Sequence, residues 1–255
     1  MIFMPFTFSH PAAVLPLSFF PSKWRSMTGL IIGSIAPDFE KFMRMRAYDN
    51  YSHTWESIFY FNLPLSLILA FLFHQLVRNT LIDHLPTILQ ERLVSYKDFN
   101  WVQHFKKYYV VIILSILVGA LSHILWDAFT HNDGRFVKWI PILKNIIVVG
   151  SFSMSVYNFL QMFTSVLGAM IIMVALLILP KYKITKQVPV KAKLKYWIII
   201  TVLAFMIVVI RYIFGYHLRY LTNLVVSIIG AGFLSLLITS YLFTKVNAFR
   251  RLVYS

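Results

Sequence analysis

Five stretches of this chain are long and apolar enough to cross a bilayer, and no other feature restricts its fold so tightly. They run near residues 58–77, 108–126, 155–179, 196–214 and 221–244. A helical crossing takes roughly 20 apolar residues, and a helix satisfies every backbone N–H and C=O within the segment. The expected fold class is therefore all-α, a polytopic membrane bundle of about five spans. Composition agrees, with 59% hydrophobic and 13% charged residues, where a soluble domain has about 25% charged. Lipid must cover much of the surface.

Residues 1–57 read differently. The segments 12–20 and 27–36 are apolar but too short to span, and Lys23-Trp24-Arg25 separates them. Pro5, Pro11, Pro16, Pro21 and Pro37 punctuate the region, and proline suits helix starts and stops better than helix interiors. Short interfacial helices are expected there. The N-terminus lacks the basic stretch and small-residue cleavage site of a signal peptide, so it is expected to be retained. The simplest organisation is one membrane-embedded domain, residues 1–255. Within it, 1–57 is the interfacial region, 58–145 holds the first two spans and a loop, and 146–255 holds three further spans. The last two, joined through Gly215, His217 and Arg219, should form an antiparallel hairpin.

The formal net charge is +15. No basic helix or aromatic RNA-binding motif accompanies it, so nucleic acid is not the expected partner; membrane lipid is. Cations gather in the loops 78–107 and 180–195 and in the C-terminal tail, which five spans place on one side, cytoplasmic by the positive-inside rule. Lys23, Arg25, Lys41, Arg44 and Arg46 in the N-terminal region run against that orientation. There is no cysteine, which excludes disulfides, thiolate metal sites and cysteine nucleophiles.

Polar groups in or near hydrocarbon need partners. The densest set closes the second span, where His123, Asp127 and His131 recur every four residues and would share one helix face; Gly134 just beyond reads as the helix stop. A His-x-x-x-Asp pair fits either a hydrogen bond near the bilayer surface or a pair of metal ligands. The N-terminal region adds Ser9-His10-Pro11, Ala36-Pro37-Asp38 and Ser52-His53-Thr54, on the same expected side. His10, Asp38, His53, His123, Asp127 and His131 together could hold two or more ions, the arrangement that clamps both oxygens of a phosphoester displacement.

The order His, Pro-Asp, Ser-His, then Ser-His-x-x-x-Asp on a hydrophobic helical chain resembles bacterial inner-membrane metal-dependent hydrolases, the LexA-binding type among them. Met4-Pro5-Phe6-Thr7-Phe8-Ser9-His10-Pro11 and Gly33-Ser34-Ile35-Ala36-Pro37-Asp38-Phe39-Glu40 most resemble a membrane family of unknown function. The ligand order is also similar to soluble zinc-dependent phospholipase C and P1-type nucleases, all-helical enzymes with a trinuclear zinc site. These resemblances imply that the six residues are metal ligands, with zinc or another divalent transition metal as the ion. They also imply an inner-membrane location. The later spans offer no His-x-x-x-Glu, only Tyr157-Asn158-Phe159-Leu160-Gln161, so one or two ions fit better than three.

Glu40 and Glu56 are candidates for general-base or supporting roles, or else are solvated charges. Arg135 is a candidate substrate contact, with Lys23 and Arg25 as further cations for an anionic head group. The expected function is metal-dependent hydrolysis of a phosphoester, a phospholipid or lipid-linked phosphate, with the site on the extracytoplasmic side. The alternative is a non-enzymatic membrane scaffold whose His/Asp cluster is structural.

Overall fold

The computed structural model describes residues 7–150, 152–185, 187–214 and 220–253. The Gly215–Arg219 link and the first six residues lie outside them. The described residues are almost entirely helical, and five helices are long and apolar enough to cross a membrane. In chain order the helices are α1 (Pro11–Val14), α2 (Met27–Arg44), α3 (Ile58–His84), α4 (Thr87–Leu93), α5 (Trp101–Thr130), α6 (Arg135–Trp139), α7 (Val156–Ile178), α8 (Val190–Ile213) and α9 (Leu221–Val253).

The five expected spans are α3, α5, α7, α8 and α9. Four run longer than hydropathy alone suggests: α3 and α5 are extended, α8 begins early, at Val190, and α9 continues to Val253. The first continues to His84 through π-helical segments at Ile58–Asn62 and Phe73–Val77. The second begins at Trp101, with non-helical backbone at Tyr108. The second apolar N-terminal segment is also longer than expected: α2 passes through Pro37 and ends at Arg44. Proline removes one rung of the helical ladder, and here packing of the buried Leu30, Ala36, Phe39 and Phe42 holds the helix across the gap.

One departure from an all-α chain is a two-stranded antiparallel hairpin, β1 (Ile146–Val149) and β2 (Phe152–Ser155). The run Ile146-Ile147-Val148-Val149 is β-branched throughout, which favours extended backbone. Gly150, at φ 61°, takes the left-handed conformation that begins the turn.

The chain forms two compact units: residues 1–39, 50–67 and 108–175, and residues 40–49, 68–107 and 176–255. In the first unit, α2 and α5 pack backbone on backbone. A Cβ on Gly33 would lie 2.3 Å from the Ile116 carbonyl oxygen, and one on Gly119 would lie 2.3 Å from that of Leu30. Gly29 and Gly33 form a G-x-x-x-G stripe of the kind that lets membrane helices approach closely. The two helices run parallel, since Gly29 faces Ile112 and Ser115 while Ser34 meets His123. The chain from His10 to Ser26 runs the opposite way along α5. His10 stacks on His123, and the Ser26 amide donates to Ser115 Oγ at 2.9 Å. The N-terminal region is thus a helical hairpin whose two arms both reach the level of His123.

In the second unit, α8 and α9 are antiparallel. Tyr196 Oη and Ser240 Oγ lie 2.9 Å apart near one end. Near the other, Arg211 and Ser227 both donate to the Met45 carbonyl, at 3.1 and 3.0 Å. That carbonyl follows the end of α2, where a cation complements the helix dipole.

Candidate metal centre

Five parts of the first unit converge on one polar cluster. His10 precedes α1, Asp38 sits on α2, and His53 lies in the loop before α3. His123 and Asp127 stand one turn apart on α5, and His131 immediately follows that helix. Asp127 is the hub. Its carboxylate lies 3.3 Å from His123 Nε2, 3.6 Å from His53 Nε2, 3.7 Å from His10 Nε2 and 3.5 Å from His131 Nδ1. Asp38 lies 3.4 Å from His53 Nε2 and 3.9 Å from His123 Nε2, and accepts a hydrogen bond from Thr7. Two triads have ligand atoms mutually within 4.8 Å: His10, His123 and Asp127, and Asp38, His53 and His123.

The close packing of α2 on α5 sets the central histidine. His123 Nδ1 donates to the Ser34 carbonyl at 2.7 Å. A carbonyl only accepts, so Nδ1 carries the proton and Nε2 holds the lone pair, the tautomer fixed as in metal-bound histidines. That Nε2 is buried and makes no hydrogen bond, and neither does Asp127 Oδ1.

His53 is oriented by a similar device. Ser57 Oγ and Asn62 Nδ2 both donate to the Ser52 carbonyl, at 2.7 and 2.9 Å, and Ser52 Oγ lies 3.0 Å from His53 Nδ1. Asn62 ends the π-helical segment opening α3. The loop is pinned to α5 where Ile58 packs with Ala120 and Ile124.

His131 lies outside both triads. Its Nε2 is 3.3 Å from Gln161 Nε2 on α7, the polar insertion of the third span. Gly168, further along α7, leaves room for Ser9, since a Cβ there would lie 2.8 Å from Ser9 Cβ. Gly134 does not stop the helix in a left-handed turn. α5 ends at Thr130, and Gly134 has φ −58°. The glycine is needed because a Cβ would come within 2.4 Å of the Ala128 carbonyl oxygen.

Glu40 lies two residues beyond Asp38, rotated roughly 200° around the helix; it is buried and bonded to Arg44 at 2.8 Å. Glu56 is exposed. Arg135 is exposed, with its guanidinium carbon 5.4 Å from the Trp55 ring centre, two residues from His53. Lys23 and Arg25 are carried away from the cluster. Their neighbour Ser26 meets α5 at Ser115, roughly 18 Å of helix rise from Asp127. Arg25 donates to the carbonyls of Phe20 and Ser18.

Burial pushes the His10 imidazole down from 6.5 to about 3, and neighbouring His123 pushes the same way. Below about pH 6.5 the unfolded chain takes up a proton that folded His10 refuses. Stability is therefore full above that pH and falls as pH drops from 6.5 towards 3. In metal-free protein, His10→Phe keeps an aromatic ring beside His123 and removes the titration. Thermal unfolding between pH 7.5 and 5 should steepen in the native chain and flatten in the variant; equal slopes would contradict the assignment.

A cluster of buried carboxylates and imidazoles recruited from a whole domain is a property that a family can share. Residues 4–241 match the domain of unknown function DUF4184. The chain belongs to that family. No curated protein and no solved structure matches it. The match covers the cluster, four of the five long helices and most of the fifth. It agrees with the resemblance of the N-terminal motifs to a membrane family of unknown function. The likeness to phospholipase C, P1 nucleases and the LexA-binding hydrolases rests on ligand order alone, so the chemistry has to come from the geometry.

Proposed function

We propose that this DUF4184 protein is a membrane-bound, metal-dependent hydrolase of a phosphoester, with a phospholipid or lipid-linked phosphate as substrate. The observation that carries the reading is His123 Nε2. It is a buried lone pair with no hydrogen-bond donor, it belongs to both triads, and it lies 3.3 Å from Asp127. A donor set of imidazole nitrogen and carboxylate oxygen fits zinc or another divalent transition metal. His123 has one free lone pair and so ligates one ion. The two triads accommodate that ion alone, or a second held by the remaining carboxylate and imidazole. When bound, such an ion supplies a water acidic enough to ionise near neutral pH and a positive charge for the phosphoryl group.

The chain's own residues account for the rest. The His53 and His131 side chains are 20% and 28% exposed, whereas those of His10, Asp38 and His123 are sealed. The cluster therefore opens past His53 and His131. Arg135 lies beside this opening on Trp55, where a guanidinium can pair with an anionic phosphate. Glu40 is committed to Arg44, which leaves exposed Glu56, three residues beyond His53, as the remaining candidate general base. His123 stands about 10 Å of helix rise from the end of α5, a depth that suits a phosphate anchored in lipid.

The burial of His10, Asp38 and His123 favours a second reading, a closed structural metal site in a non-enzymatic scaffold. Protein in lipid nanodiscs, loaded with zinc, separates the two. Hydrolysis of a chromogenic phosphodiester or a short-chain phospholipid should be abolished by chelator. Asp127→Asn should lower it beyond the roughly 10–100-fold typical of residues that only support metal ligands. Tightly held metal with no turnover above the protein-free rate would establish the scaffold instead.

A further inference from the structure

Between α5 and α7 the chain does not cross a membrane, yet it presents large apolar side chains outward. Trp139 is 70% exposed, Ile142 63%, Ile146 67% and Val148 75%. They come from three short elements in succession: the end of α6, the 3-10 turn Pro141–Lys144 and strand β1. Their neighbours point the other way, for Val137 is fully buried and Leu143 nearly so. Phe136 stacks on Phe129 of α5 at 4.1 Å, which ties the segment to the end of the span. Residues 135–155 contain the cations Arg135, Lys138 and Lys144 and no acid. The surface is therefore a plate, apolar on its outer face and cationic around it.

We infer that residues 139–148 seat in the headgroup layer of an anionic leaflet. The segment is linked to α5 through the short α6 and to α7 through β2. Both of those long apolar helices, α5 and α7, lie within about ten residues of it, which places it near where they meet the membrane surface. Tryptophan and lysine beside aliphatic side chains suit that layer, with rings at headgroup depth and cations reaching phosphates. Charge selects the occupant. A second copy would bring the same three cations against these, whereas acidic lipid headgroups complement them. The inference is independent of the metal reading, because none of its residues is a ligand.

The absence of cysteine makes the test direct. Single-cysteine variants Ile142→Cys and Val148→Cys carry an environment-sensitive fluorophore, with exposed Asp133→Cys as the polar reference, in the full chain reconstituted in vesicles. The labels at 142 and 148 should emit blue-shifted from that at 133 and be quenched by spin-labelled lipid rather than by aqueous iodide. Spin-labelled phosphatidylglycerol should quench them more than spin-labelled phosphatidylcholine, by up to about fivefold per cation. Lys138→Gln with Lys144→Gln should erase most of that preference. Quenching by iodide alone would overturn the inference, as would equal quenching by the two lipids. A label shielded from both quenchers would overturn it in favour of a protein partner.

Discussion

Gly33→Val is expected to destabilise the fold by about 3 kcal/mol or more and to abolish metal binding. Its first added carbon would lie 2.3 Å from the Ile116 carbonyl oxygen and 3.0 Å from its carbonyl carbon. Backbone cannot swing aside as a side chain can, so α2 and α5 must separate, and overpacking of this kind typically costs 1–3 kcal/mol even where neighbours relax. The damage reaches the cluster because Ser34, the next residue, supplies the carbonyl that fixes the His123 tautomer. Gly232→Ala is the control. A Cβ there meets nothing within 4 Å, and alanine in a helix gains up to about 1 kcal/mol over glycine. Chemical denaturation of the two variants in matched detergent decides the matter. Equal stability would mean that the glycine stripe does not set the helix spacing.

The second large effect is at His123. His123→Ala removes the one residue common to both triads, so neither triad survives. Native protein with divalent metal at 1,000 times its dissociation constant should gain about 4 kcal/mol of stability. His123→Ala should gain almost none. His131→Ala should keep most of the gain, since both triads stand without it. Thermal unfolding with and without added zinc reads all three. Equal loss in His123→Ala and His131→Ala would contradict the central place given to His123.

The five long apolar helices were legible because a bilayer imposes a length and a polarity that few other settings share. The motifs of the cluster were legible for a related reason: His10, Asp38, His123 and Asp127 are polar groups in apolar runs, and His53 sits in a polar turn before one. Ligand order pointed to their convergence, but not to the geometry behind it: α2 continuing through Pro37 and packing parallel to α5. Gly29-x-x-x-Gly33 was the available signal for that packing, but one stripe of small residues does not name its partner helix. A helix carried past residue 36 would also have separated Asp38 from Glu40, which two positions place on different faces. The β1–β2 hairpin escaped notice because Ile146–Val149 is a short apolar run, which periodicity alone leaves ambiguous. Ser34, Asn62 and Gln161 act through partners distant in sequence, at separations of 89, 10 and 30 residues. Gln161 stood out as a polar insertion and Ser34 lay within the Gly33–Glu40 motif, but no local pattern assigns any of the three its partner.

The measurement closest to the centre of the account is metal content. Protein purified without chelator, then exposed to zinc and desalted, should carry one or two ions per chain by elemental analysis, and His123→Ala should carry none at the same free-metal concentration. Absence of metal from the native protein under both conditions would contradict the account and leave a hydrogen-bonded cluster of histidines and aspartates.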